Sequence, residues 1–205
     1  MKTVQAVLIC LSIGLFATIA TGTAMAFQKE MSAPVGRFNS KTVAAIKLHR
    51  IFDEEWQRTL RENPTQASQL GDRRYNKLWP DLSLPAIRAS QENTRQVLAA
   101  VKALDMSEMS VEDRLNVRLF ERQSETDIRE QRFQLHLLPV NQRGGLQNKD
   151  TVADLLQFDT LRDYEDWIAR LKAFPMFAGQ TMALMRQGIR TRMLHPKVIM
   201  QRVPA

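Results

Sequence analysis

The stretch KTVAAIKLHRIFDEEWQRTLRENP, residues 41–64, decides the class of fold. Within it Ala45, Leu48, Phe52, Trp56 and Leu60 recur at steps of three or four, which draws one apolar stripe along an α-helix and leaves no period-two alternation for a strand. The helix should end near Asn63, because a following proline disfavours helical backbone in the residue before it. Pro64 is itself suited to the first turn of a short helix through Leu70, with Gly71 placed to terminate it.

Downstream the same signals repeat. Asp72 to Ser83 reads as a loop. Pro85 then opens a helix of roughly twenty residues with Ile87, Thr94, Val97, Leu98, Val101 and Leu104 on its buried face. Ser110 and Asp113 have the spacing of a capping box, and the helix they start should run into the Phe133 region. Along it the Glu121/Glu125 and Arg114/Arg118/Arg122 spacings stack charges on a solvated side. Pro139 and the Gly144-Gly145 pair cannot continue it. Asp150 or Thr151 starts a short helix through Phe158. Thr160 with Asp163 repeats the capping pattern, and Leu161, Tyr164, Ile168 and Leu171 form the inward stripe of the next helix. Pro175 should begin another, with Met182, Met185, Ile189 and Met193 on one face, and a last segment spans Lys197 to Val203. The class is all-α, an irregular bundle of about six or seven helices over residues 41–205.

Upstream, the first 26 residues stand apart from the fold. Lys2 supplies a positive start, Val4 to Ala20 is an apolar run, and Ala24-Met25-Ala26 matches a signal-peptidase site, so cleavage after Ala26 predicts a periplasmic or secreted protein. The rival reading is an uncleaved segment that anchors the chain in the inner membrane. Phe27 to Ser40 is a flexible lead-in. Removing 26 of the 205 residues leaves 179, takes away the single cysteine and lowers the net charge from +7 to +6 with the loss of Lys2. A thiol-free exported chain excludes cysteine catalysis, iron-sulfur clusters and thiolate-bound zinc.

The remaining charge is unevenly placed. All 22 acidic residues precede Trp167, whereas Arg170, Lys172, Arg186, Arg190, Arg192, Lys197 and Arg202 lie in the acid-free stretch after it. Met176, Met182, Met185, Met193 and Met200 share that stretch. Met182, Met185, Arg186, Arg190 and Met193 are therefore candidates to face a partner, either a further part of a longer parent or another protein or peptide. Val198, Ile199 and Val203 lack enough following chain to bury them, an expectation that points the same way. Nucleic acid suits this pattern poorly, because the arginines are interleaved with apolar positions, and membrane binding after signal cleavage is not expected.

Chemistry-bearing motifs are sparse. His49, His136 and His195 are far apart, none is followed by glutamate, and no H-E-x-x-H, G-x-S-x-G, P-loop or dinucleotide pattern occurs. No catalytic or metal-binding residue is assigned. Asn141, Gln142, Arg143, Gly144 and Gly145 form the one loop with binding character, since paired glycines can aim backbone amides at an anion while the other three offer hydrogen bonds.

Several segments together resemble the N-terminal region of a large bacterial family, labelled domain of unknown function 885, from about residue 45 onward. They are Phe52 to Trp56, Asn63 to Asp72, Asn141 to Gly145, Asp163 to Leu171, and Gln187-Gly188-Ile189 with His195-Pro196. The resemblance implies an exported helical scaffold. Longer members carry a zincin-like His-Glu and Pro-Gly-His-His motif in their C-terminal half, which makes them look like metal-dependent peptidases. The matching positions here include none of that motif, so zinc is expected only in a full-length member and no cofactor in this chain. The Asn141 to Gly145 loop becomes a candidate to face the cleft formed with that half.

Overall fold

A computed structural model describes residues 42–203, so the signal segment, its apolar run and the lead-in lie outside the described residues. The fold is all-α, with six α-helices among the described residues joined by short 3₁₀ turns. Helix α1 spans Val43–Glu62, and the Thr42 side chain accepts a hydrogen bond from the Ala45 amide at 3.2 Å. That contact satisfies one of the amides a helix start leaves without an internal partner. Helix α2, Pro64–Gln69, begins with proline in its first turn, where no amide is missed. It ends on Gly71 at φ +80°, with the Asp72 amide reaching back to the Ala67 carbonyl at 2.9 Å. The left-handed conformation of that turn is the reason for glycine there.

Helices α3 (Leu84–Lys102) and α4 (Val111–Glu130) form an antiparallel pair closed by the turn at residues 103–110. Leu48, Ile51 and Phe52 of α1 pack with Val101, Leu104, Met109 and Val117 of this pair, and Phe52 meets Phe120 at a ring separation of 5.2 Å. Arg58 of α1 is held by Glu55 and Glu62 and donates to Ser90 of α3 at 3.2 Å, while Asn93 of α3 donates to Glu55 at 3.1 Å. A second core joins the loops to helix α5, Leu161–Thr191, through Trp79, Val152 and Phe177. Helix α6, Lys197–Met200, is a single turn after Pro196.

Four sequence expectations change. Asp113 does not complete a capping box: its amide donates to Ser110 Oγ at 3.0 Å, but its buried carboxylate lies 2.8 Å from His49 Nε2. The α4 helix stops at Glu130, because Gln134 adopts φ +49° and the chain continues as two 3₁₀ turns. The segment from Asp150 is 3₁₀ and ends at Leu155. Pro175 does not begin a helix. It lies inside α5, exposed, where the missing amide costs one internal bond while Phe174 and Phe177 on either side of it hold the helix against Trp79.

The largest change is the orientation of α5. Leu161, Tyr164, Ile168 and Leu171 face outward, with Leu161 76% and Leu171 48% exposed. The inward face is Asp163, Arg170, Phe177, Thr181, Leu184 and Gly188. Apolar periodicity identifies a stripe without saying what covers it, and here two polar residues with specific partners outcompete it. Asp163 accepts from the Thr160 amide at 2.8 Å and from Arg73 at 3.2 Å. Arg170 Nη2 donates to Ser68 Oγ at 3.0 Å and to the Tyr75 carbonyl at 2.9 Å.

Candidate functional site

Past the end of α4 the chain crosses α5 at Gly188. A Cβ at Gly188 would stand 2.7 Å from the Met193 carbonyl oxygen and 3.0 Å from that of Leu137, so glycine is what permits the crossing. The end of α5 then folds back: Arg192 takes φ +59° and the Met193 amide donates to the Gly188 carbonyl at 2.8 Å. This left-handed helix stop brings Leu194 and His195 under the crossing segment.

The result is a groove of about 230 Å³. One wall is Leu137 to Val140, and the other is built from Met185, Ile189, Met193, Leu194, His195 and Met200. The lining is apolar except for His195, whose Nε2 is buried and has no hydrogen-bond partner. On the other side of the crossing, a more polar cleft of about 340 Å³ is lined by residues including Arg88, Gln134, His136 and Gln187, and burial pushes the His136 imidazole below its ordinary pKa.

The Asn141 to Gly145 loop follows directly on the groove wall. It is a tight turn in which the Asn141 amide donates to the Gly144 carbonyl at 2.9 Å, and the Arg143 and Gly144 amides donate to Asn141 Oδ1 at 2.8 and 3.1 Å. The Asn141, Arg143 and Gly144 amides are thus engaged within the turn, an Asx arrangement. Gly145 has φ +153°, and a Cβ there would meet Gln147 Oε1 at 2.5 Å and Val140 Cα at 3.1 Å. Gly145 serves the turn's geometry, whereas nothing lies within 4 Å of a Cβ placed at Gly144. Arg143 is exposed and Gln142 is partly so.

Of the candidate residues, Met185 and Met193 line the groove, whereas none of Asn141 to Gly145 does; only the residues just before that loop reach it. The stem of the loop, Pro139 and Val140, faces Met185 and Met193 across the groove. Met182 and Arg186 are exposed outside it, and Arg190 beside Ile189 bonds only Gln187, with its Nε 3.1 Å from Gln187 Oε1. None of Arg186, Arg190, Arg192 and Lys197 forms an ion pair with the described residues. The exposed α5 stripe leads into this region through Met182 and Ile189, the latter 62% exposed.

Two polar arrangements carried no distinctive sequence signal. Arg170 is completely buried, has no carboxylate in contact, and leaves Nε and Nη1 without partners. Burial lowers its pKa to about 10. Its position among apolar residues at helical spacing was the one available hint. The His49/Asp113 pair joins residues 64 positions apart, which no local pattern encodes.

Zinc, which the resemblance implies only for a full-length member, needs several converging donors. Among the described residues no three His, Cys, Asp or Glu side chains converge to hold a metal ion. His49 is engaged by Asp113, while His136 and His195 line different clefts. These residues do not fit a zinc site. No helix among the described residues is long and apolar enough to cross a membrane.

Fold and site together define an all-α protein with an apolar groove at the C-terminal end of α5. The chain belongs to the family described as bacterial protein of unknown function (DUF885), which matches residues 64–205. The match begins at Pro64, so Phe52 to Trp56, part of the resemblance seen in the sequence, lies upstream of it. No curated protein and no solved structure matches the chain.

Proposed function

We propose that this chain is an exported, non-catalytic helical scaffold, equivalent to the N-terminal part of a zincin-like metallopeptidase, and that α5 presents the face on which a further part of the parent packs. The observation that supports this most directly is the exposed stripe Leu161, Tyr164, Ile168, Leu171, Met182 and Ile189 on one long helix. Apolar side chains repeated along a helix face are ordinarily covered, and contiguous exposed ones mark an interaction surface. The catalytic motif would come from that further part, because the described residues assemble no activated water or nucleophile.

The genomic sequence beyond codon 205 tests this reading. A His-Glu and Pro-Gly-His-His segment, in frame or frameshifted, is expected, and unrelated sequence would sink it. Export is tested separately by the N-terminus of the protein recovered from the periplasm, expected to be Phe27. A peptidase assay with added zinc on the chain alone should be blank. A second reading, a stand-alone periplasmic module that grips a protein or peptide, is favoured by the groove, which is already formed within this chain.

A further inference from the structure

We infer that the groove between residues 137–140 and the end of α5 docks an acidic amphipathic segment of another polypeptide, with apolar side chains seated in the groove and carboxylates on the arginines beside it. The inference deepens the reading of the α5 face as an interface, and rests on it, by naming the chemistry of what the C-terminal end of that face receives.

The size of the groove decides between kinds of occupant. At about 230 Å³ it is smaller than the roughly 300 to 1,000 Å³ typical of small-molecule sites. It accommodates anchoring side chains rather than a whole cofactor. Its walls supply methyl, methylene and thioether groups from Leu138, Val140, Met185, Ile189 and Met193. Methionine surfaces adapt their shape to a partner because the side chain is unbranched and polarizable. Met182, Met185 and Ile189 follow the three- and four-residue steps of one helix face, the spacing at which a partner helix presents its own anchors.

Charge fixes the partner's character. Arg186 and Arg190 stand one turn apart beside Ile189, Arg192 and Lys197 follow, and all four lack an ion pair among the described residues. No acidic residue occurs after Asp166 to offset them. Such a single-sign rim attracts carboxylates and disfavours a basic partner by like-charge repulsion. A purely apolar segment would leave these charges unused.

Fluorescence anisotropy on the purified protein tests the inference. The probe is a short labelled peptide with leucines at i, i+3, i+4 and i+7 and glutamates elsewhere. Saturable binding is expected, weakening with added salt as the rim charges are screened. A peptide with lysine in place of glutamate should bind at least about tenfold more weakly. The double variant Arg186→Glu/Arg190→Glu, and separately Ile189→Ser, should each weaken binding by about tenfold, whereas Leu115→Ser, at an exposed position of α4 outside both the groove and the α5 stripe, should leave it unchanged. These side chains are exposed, and circular dichroism of each variant checks that it folds. Absence of saturable binding by the folded protein, equal binding of the lysine peptide, or an equal loss with Leu115→Ser overturns the inference. So does binding seen only with phosphatidylglycerol vesicles. Unrelated sequence beyond codon 205 would defeat the scaffold reading and leave this binding standing, so the two failures are distinguishable.

Discussion

Trp79 and Arg170 make reciprocal contacts across the junction between the loop after α2 and helix α5. The indole Nε1 donates to the Arg170 carbonyl at 2.7 Å, and the guanidinium carbon lies 5.6 Å from the ring centroid. The arginine therefore orients α5 through its backbone, its cation and its two bonds to Ser68 and Tyr75. Yet the guanidinium is fully desolvated and three of its five N–H donors, on Nε and Nη1, are idle.

Those two facts predict opposite outcomes for two substitutions. Arg170→Met keeps the stem packed on Trp79 and removes a desolvated cation, so urea melts should place it within about 1 kcal/mol of the parent. Arg170→Ala also opens a cavity and should lose about 2 to 4 kcal/mol. The desolvation penalty is present at neutral pH and is relieved only as pH rises through the folded value of about 10, where the unfolded chain holds the proton more tightly. A methionine variant as unstable as the alanine one would show that the bonds to Ser68 and Tyr75 outweigh that penalty.

The two glycines of α5 should respond oppositely to alanine. At Gly188 the new Cβ meets two backbone carbonyls that cannot swing aside, so Gly188→Ala should cost about 1 to 3 kcal/mol. At Gly179 nothing lies within 4 Å of the added atom, and Gly179→Ala should gain roughly 0.5 to 1 kcal/mol from reduced backbone entropy in the unfolded chain. Thermal melts of the pair check this, and similar shifts for both would contradict the close crossing at Leu137.

The His49/Asp113 contact should behave as a coupled pair joining α1 to the start of α4. A double-mutant cycle with His49→Ala and Asp113→Ala is expected to return a coupling of about 1 to 3 kcal/mol. Additive losses would mean that the two side chains act separately.

Acid should loosen the start of α5. Bonds from Thr160 hold the Asp163 carboxyl below the ordinary carboxylate range, aided by the Asp159 amide and the Arg73 charge. A folded pKa below the unfolded one stabilises the protein above the unfolded value, and that contribution fades as pH falls below about 4. Asp163→Asn should thus lower stability at neutral pH and flatten the acid limb of a stability-against-pH curve. An unchanged acid limb would show that other carboxylates govern it.

Helix boundaries were legible where a local signal is physically strong. Pro64, Gly71, Ser110 and Thr160 act through their own backbone and nearest amides, and each stands at the helix end its chemistry suits. Pro175 misled because its preference for a first turn is weak beside the aromatic packing of Phe174 and Phe177. The Asn141 to Gly145 loop was visible as a turn, but only the folded chain shows that Asn141 consumes its amides and that its stem forms a groove wall.

The sequence by itself determined that this protein is all-α, where most helices start, and that positive charge and methionine gather after Trp167, because capping, periodicity and composition are local properties. Tertiary structure decided which face of α5 turns inward. That choice depends on Ser68, Tyr75 and Arg73 meeting Arg170 and Asp163 from some 90 to 100 residues away. A buried arginine and aspartate satisfied in that way can displace an apolar stripe to the surface. Only the folded chain reveals which partners are within reach.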